Sequence, residues 1–183
     1  MMKRFLLLIF GLLFILGLQA QTTVFLEDFE APSGADLVTS TGTPGANNWA
    51  VTSSLYSSGT QADSAQVSLG DTIYLTTNSF STLGNSNVTL TFDQICKIEF
   101  FDKAEILVSN DNGATFTKAT AAMYLGTGQF GTNGDGFAST SYIDWLPASP
   151  GAVPTNLWWK SEQFDISTLA GNAANVQIQF RLS

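Results

Sequence analysis

EILVSNDNGATFTK, residues 105–118, is the stretch on which the fold turns. Ile106 and Val108 alternate with polar or exposed positions, the period of a half-buried strand. Asn110-Asp111-Asn112-Gly113 follows, and such a cluster between apolar runs marks a tight turn. Asp111 can accept backbone N–H groups of that turn, and Gly113 can take a positive φ without a Cβ clash. Ala114 to Lys118 reads as the returning strand, with Phe116 placed to cover the hairpin.

The chain around this hairpin has 183 residues, enough for one domain with a real core. Apolar residues make up 44% and charged residues 12%, so Ser, Thr, Asn and Gly dominate the surface. The 14 Phe and 4 Trp supply much of the core. Seven basic residues face 15 acids. Without Lys3 and Arg4, the only charges in the first 20 residues, five basic residues remain and the net charge is −10. That balance disfavours nucleic acid and anionic membranes and suits cations, Ca²⁺ included. With no His and one Cys, a structural zinc site and the Ser-His and Cys-His nucleophilic pairs are excluded within this chain.

Residues 1–20 read as a secretory signal peptide. Lys3 and Arg4 form its positive end, Phe5 to Leu18 its apolar core, and Ala20 a small residue at the cut. About 14 apolar residues fall short of the ~20 that span a bilayer. No stable membrane insertion is expected after cleavage, and the protein is expected to be secreted or held at the cell surface. Residues 21–183 then form a single domain.

Thr22 to Glu30 reads as a first strand ending in Glu27, Asp28 and Glu30. Ala31 to Asn48 is a loop, Trp49 and Val51 open a short strand, and Ala65, Val67 and Leu69 alternate. Asp71 turns the chain, Ile73 and Leu75 resume the alternation, and Gly84-Asn85 turns it again. Asn87 to Phe101 gives the longest strand signal, with Val88, Leu90, Phe92, Cys96, Ile98 and Phe100 on one parity. Gln94 breaks that series, which predicts a bulge or a crossing between sheets near Asp93-Gln94. Tyr124 to Asn156 is a long Gly-, Pro- and aromatic-rich loop, of the length that is functional or packs as a lid. A strand over Leu157 to Phe164 would send Trp158 and Trp159 to opposite faces. Val176, Ile178, Phe180 and Leu182 share one face of a final strand. Many short strands with Gly- and Pro-rich turns predict an all-β, two-sheet antiparallel sandwich.

Two resemblances add to this reading. Ser109-x-Asp111-x-Gly113-x-Thr115-Phe116 resembles the Asp-box hairpin of sialidases and many secreted β-proteins, where it is a structural turn. Phe25-Leu26-Glu27-Asp28-Phe29-Glu30, Leu75-Thr76-Thr77 with Phe80-Ser81, the Asp-box hairpin and the closing FDIS…NVQIQFRL together resemble the cleaved-adhesin or choice-of-anchor group. These are MAM-like, concanavalin-like jelly-roll modules of secreted Bacteroidota proteins. The resemblance implies an accessory or adhesive module of larger exported proteins, often substrates of type IX secretion. It also implies a structural cation near the first strand. Family members continue into a further turn and closing strand, so the chain is expected to lack that strand and to leave its last strand an open, self-associating edge.

Several candidate sites follow. Glu27, Asp28 and Glu30, with Asp63, could supply oxygens to Ca²⁺, or could be a solvated strand end. Tyr142, Trp145, Trp158 and Trp159 could present flat faces to sugar rings, or could plug the open edge of the sandwich. Cys96 shares the parity of Leu90 and Phe92, which favours a buried thiol over an intermolecular disulfide. Asp63-Ser64-Ala65 and Asp71-Thr72-Ile73 fit the O-glycosylation signal of Bacteroidota, and Asn87-Val88-Thr89 fits an N-glycosylation acceptor. Gly126 to Gly136 lacks the Gly-Lys-Ser/Thr of a phosphate loop. A sialidase needs clustered Arg, and after the leader only Arg181 remains. No spacing selects a glycosidase carboxylate pair. Two functions stand: a non-catalytic module that binds an extracellular glycan or surface protein, and an accessory domain of a secreted peptidase or glycosidase.

Overall fold

The structure is a computed structural model that describes residues 21–30, 38–44, 48–98, 101–131, 134–145 and 153–183. The leader, Phe100, Pro147 and Pro150 lie outside the described residues. Nine strands dominate the described residues: β1 Val38–Gly42, β2 Ala50–Thr52, β3 Ala62–Ser64, β4 Ile73–Thr77, β5 Thr89–Gln94, β6 Ala104–Ser109, β7 Thr117–Lys118, β8 Lys160–Asp165 and β9 Gln177–Leu182. One short helix, α1 Ser167–Ala170, and three 3-10 turns complete the elements. Among the described residues no helix is long and apolar enough to cross a membrane.

The larger sheet has the order β1-β4-β9-β6-β7, every neighbour antiparallel. The facing sheet is built on the β5–β8 pair, and β2–β3 forms a separate hairpin. A bridge from Tyr124 to Phe164, with the Leu125 N–H on the Gln163 carbonyl, adds a third rung beyond β8. The sheets meet through apolar side chains of like parity, and the chain is an all-β sandwich. Phe92 of β5 meets Phe180 of β9 edge to face at 5.0 Å and stacks on Phe164 of β8 at 6.2 Å. Val176 and Ile178 of the β9 segment, Ile106 and Val108 of β6, and Phe164 and Ile166 of the β8 segment are all at most 2% exposed.

β9 pairs with β6 over all its residues and with β4 over Gln179 to Leu182, and the Ile178 N–H donates to Thr77 Oγ1. The expected open edge at the last strand is therefore corrected: the main-chain groups of β9 are consumed on both sides. Thr22 to Glu30 is not a strand either, as it joins no ladder. Phe25 packs on Phe80 at 4.8 Å, and Phe29 turns the chain at φ 59. β3 ends at Ser64, and Leu69 is fully exposed. The long strand signal after Asn87 yields only Thr89–Gln94, and Phe101 stands 86% exposed. The break at Gln94 is the predicted crossing, since β5 and β6 belong to different sheets. β6 was expected to be half-buried. Its residues from Glu105 to Ser109 are all buried, because both its faces are covered.

On the outer face of the larger sheet, Glu105 lies opposite Arg181 and is 4% exposed. Arg181 Nε donates to Glu105 Oε2 at 2.5 Å, and Lys118 Nζ donates to Oε1 at 3.0 Å. Lys118 also reaches the Gly134 carbonyl at 3.0 Å, which fastens the long loop over this face.

Phe164 lies among Phe92, Tyr124, Phe130 and Phe137, with ring centroids 4.9 to 6.2 Å away. Phe164→Ala is expected to cost about 3–5 kcal/mol, whereas Leu69→Ala should stay within about 0.5 kcal/mol. Denaturant unfolding of both variants checks this.

Candidate functional site

The long loop and the start of β8 build an aromatic cluster at one end of the sandwich. Trp145 is fully buried, and its indole N–H donates to the Trp158 carbonyl at 3.0 Å. A ring with no exposed face cannot stack on a sugar, so Trp145 is corrected from candidate contact to plug. Tyr142 meets Trp145 edge to face at 4.6 Å and is half-buried. Lys160 Nζ stands 5.3 Å from the Tyr142 centroid and pairs with Asp144 Oδ2 at 2.5 Å. Lys97 Nζ stands 5.8 Å from the Trp158 ring. Asn156 Oδ1 accepts the Tyr56 N–H at 3.3 Å, which brings the loop after β2 to the same region.

Trp158 ends a 3-10 turn and Trp159 precedes β8, so the opposite-face expectation for a strand does not hold. Both are half-buried, and the Trp159 indole N–H is buried without a partner. The surface left for a ligand is therefore Tyr142, Trp158 and Trp159 with their flanking lysines, Asp144 and Asn156.

Beneath Tyr142 lies a group that the sequence reading passed over. Glu162 sits on the inward parity of β8 with Phe164 and is 1% exposed. The Tyr124 hydroxyl donates to Oε2 at 2.5 Å, and Gln94 Nε2 donates to Oε1 at 3.1 Å. The Tyr124 hydroxyl also takes the Gly128 N–H at 2.9 Å and lies 3.3 Å from the Tyr142 hydroxyl. Burial raises the Glu162 pKa, and the donated hydrogen bonds only partly offset it. Burial, followed by the bond to Glu162, raises Tyr124 as well. The signal was present: Glu162-x-Phe164-x-Ile166 has core parity, and the polar Gln94 interrupts β5 where Glu162 needs a donor. The nearby glycines follow from the same packing. A Cβ on Gly126 would strike the Tyr124 ring, and one on Gly128 the Tyr142 ring.

The hairpin turn over Ser109 to Phe116 is closed by its own side chains. Ser109 Oγ donates to Asp111 Oδ1 at 2.7 Å and accepts the Gly113 N–H at 2.9 Å. Asp111 takes the Thr115 N–H at 2.9 Å and the Thr115 hydroxyl at 2.6 Å. Gly113 holds φ +82, and a Cβ there would collide with Gln177. Phe116 is half-buried beside the turn. These donors, led by the Thr115 hydroxyl, bring Asp111 down to about 2.

Three of the four acids offered as calcium ligands accept hydrogen bonds from the main chain. Glu27 Oε1 accepts the Phe29 N–H at 2.7 Å, and Asp28 Oδ1 the Glu30 N–H at 3.1 Å. Glu30 takes the Thr60 N–H, the Thr60 hydroxyl and the Gln61 N–H at 2.6 to 2.9 Å. Asp63 lies on β3 opposite Val51. Among the described residues no three or more His, Cys, Asp or Glu side chains gather in one group. Cys96 is buried, and its thiol is pushed up to about 12, first by desolvation and then by Glu162 and Asp102.

Tyr124→Phe leaves a buried carboxyl oxygen without its donor and should cost about 1–3 kcal/mol. Because Glu162 is raised on folding, its stabilisation is complete below its unfolded pKa and is lost as pH rises through the folded one. Melting from acid to alkaline pH should therefore show wild type losing stability that Glu162→Gln retains. Asp111 has the opposite sign. Its contribution is present above the unfolded value and is lost as pH falls through about 2. Asp111→Ala should lower the midpoint at neutral pH, with the gap closing in strong acid. Comparison with protein-family models, with curated proteins and with solved structures gives no match.

Proposed function

We propose that this protein is a non-catalytic, exported β-sandwich module, of the cleaved-adhesin or choice-of-anchor kind, that binds carbohydrate through Tyr142, Trp158 and Trp159. The observation that carries this reading is the pairing of aromatic rings with polar groups at one end of the sandwich. Tyr142 and Trp158 each lie within 6 Å of a lysine ammonium, with Asp144 on the same lysine as Tyr142. Sugar rings offer C–H faces to aromatic rings and hydroxyls to ammonium, carboxylate and amide groups, so one rim serves both halves of the ligand. Trp145 beneath them is buried and bonded, which holds the rim in place. A non-catalytic reading is supported by the two acids buried among the described residues. Glu162 is closed in by Tyr124 and Gln94, and Glu105 by Arg181 and Lys118.

The test is a glycan array followed by titration calorimetry on any polysaccharide retained. Trp158→Ala should weaken binding at least tenfold while leaving the melting temperature within a few degrees. Trp145→Ala should instead destabilise the fold by about 3–5 kcal/mol. No retention of any glycan, or binding indifferent to Trp158→Ala, overturns the proposal.

A further inference from the structure

The outer edge of β5 is a self-complementary docking strand, and we infer that two copies of this chain pair there, antiparallel, about a twofold axis through Thr91.

The ladder on the other side of β5 fixes which groups point outward. The Ile166 N–H donates to the Val88 carbonyl at 3.0 Å, so Val88 and Ile166 form a hydrogen-bonded pair. In an antiparallel ladder such pairs recur every second residue. In the observed register Leu90↔Phe164, Phe92↔Glu162 and Gln94↔Lys160 are the next ones. The main-chain groups of Thr89, Thr91 and Asp93 consequently face away from β8. The far side of β8 agrees with this alternation, since the Gln163 carbonyl points outward to the Leu125 N–H. Among the described residues no strand or bridge pairs with the second edge of β5.

The side chains tell the same story as the backbone. Inward groups of the β8 segment are sealed: Glu162 and Ile166 are 1% exposed and Phe164 is at 0%. One strand further out, Leu90 and Phe92 are only half-buried. Cover thins toward the β5 edge, on the apolar face as well as along the backbone. β5 also carries no Lys and no Pro, and its single charge is Asp93 near one end.

An occupant must offer a strand with matching parity, and β5 itself does. A twofold axis through Thr91 pairs Thr91 with Thr91 and Thr89 with Asp93 of the other copy. All outward N–H and C=O groups of Thr89, Thr91 and Asp93 are then satisfied on both chains. On the inner face Leu90 meets Phe92 of the other copy, which continues both cores. On the outer face the Thr89 hydroxyl meets the Asp93 carboxylate, whose Oδ2 already holds the Ser57 hydroxyl. An axis two residues later would set Asp93 against Asp93, so charge selects the register. The joined sheet would run β8-β5-β5-β8 and present two carbohydrate rims. The net charge of −8 on each chain opposes the contact, so added salt should strengthen it.

Sedimentation velocity of the purified protein over a wide concentration range, at low and high salt, is the first test. Reversible dimerisation that strengthens with salt is expected. Thr91→Pro removes an outward N–H and leaves the β8 ladder intact, as proline is tolerated on an edge facing away from its partner. It should weaken the dimer at least tenfold. Hydrogen exchange on the wild type decides the matter even if that variant fails to fold. Amides of Leu90 and Phe92 should be protected at every concentration, and those of Thr89, Thr91 and Asp93 only when the dimer forms. A monomer at all concentrations overturns the inference. So does a dimer undiminished by Thr91→Pro, an edge protected in the monomer, or an edge protected only by a foreign peptide.

Discussion

β9 holds two ladders at once, and the rest of the molecule depends on that. Its residues Gln177 to Leu182 pair with β6 on one side and largely with β4 on the other, strands about seventy and a hundred residues earlier. Until the end of the chain arrives, β4 and β6 have no common neighbour and the larger sheet is two separate pairs. Ile178 and Phe180 then bring the apolar face that meets Phe92 from the opposite sheet. Contacts of such sequence separation are slow to close, because loop entropy is spent before they form.

The two buried glutamates show how a sheet with few charges tolerates them inside. Glu105 is matched across the β6–β9 ladder by Arg181 and along the β6–β7 hairpin by Lys118, so its charge is neutralised by neighbours that the sheet itself positions. Glu162 is held differently. It relies on neutral donors, the Tyr124 hydroxyl and the Gln94 amide, and its carboxyl is raised in consequence. Tyr142 extends that polar thread toward the surface, where Lys160 and Asp144 lie. The rim and the buried carboxyl are thus linked through one tyrosine.

The sequence made the sandwich legible where a strand has one wet face, as in β4, or where one parity is wholly apolar, as in β9. It misled where a strand is covered on both sides: β6 alternates in polarity, yet Glu105 and Ser109 are as enclosed as Ile106. It also misled where alternation continues without a partner strand, as in Ala65 to Leu69 and after Gln94, since periodicity reports a preference and not the presence of a neighbour. Trp145 could not be told from Trp158 by composition. What separates them is a single indole hydrogen bond to a main-chain carbonyl 13 residues on. Glu162 was legible in principle, through its parity with Phe164 and the matching break at Gln94. An acid on a core face reads as an error until its donors are in view.

The Asp-box hairpin explains how the two ladders of β9 find their register. Its turn is tied to the approach of that strand: the Asn112 N–H donates to the Asn175 carbonyl at 3.1 Å, and Asp111 bridges Asn175. Asn110 Nδ2 donates to the Leu169 carbonyl of α1 at 3.1 Å, so the connection from β8 is caught as well. Gln177 packs under Gly113, and its side-chain amide donates to the Thr77 carbonyl at the end of β4. Thr77 Oγ1 in turn takes the Ile178 N–H at 2.9 Å. A slip of one residue in β9 would break this set of contacts and turn Ile178 and Phe180 to the outer face. The hairpin's acid and glycine are therefore best understood as the register lock of the central strand, which accounts for the fully engaged carboxylate of Asp111.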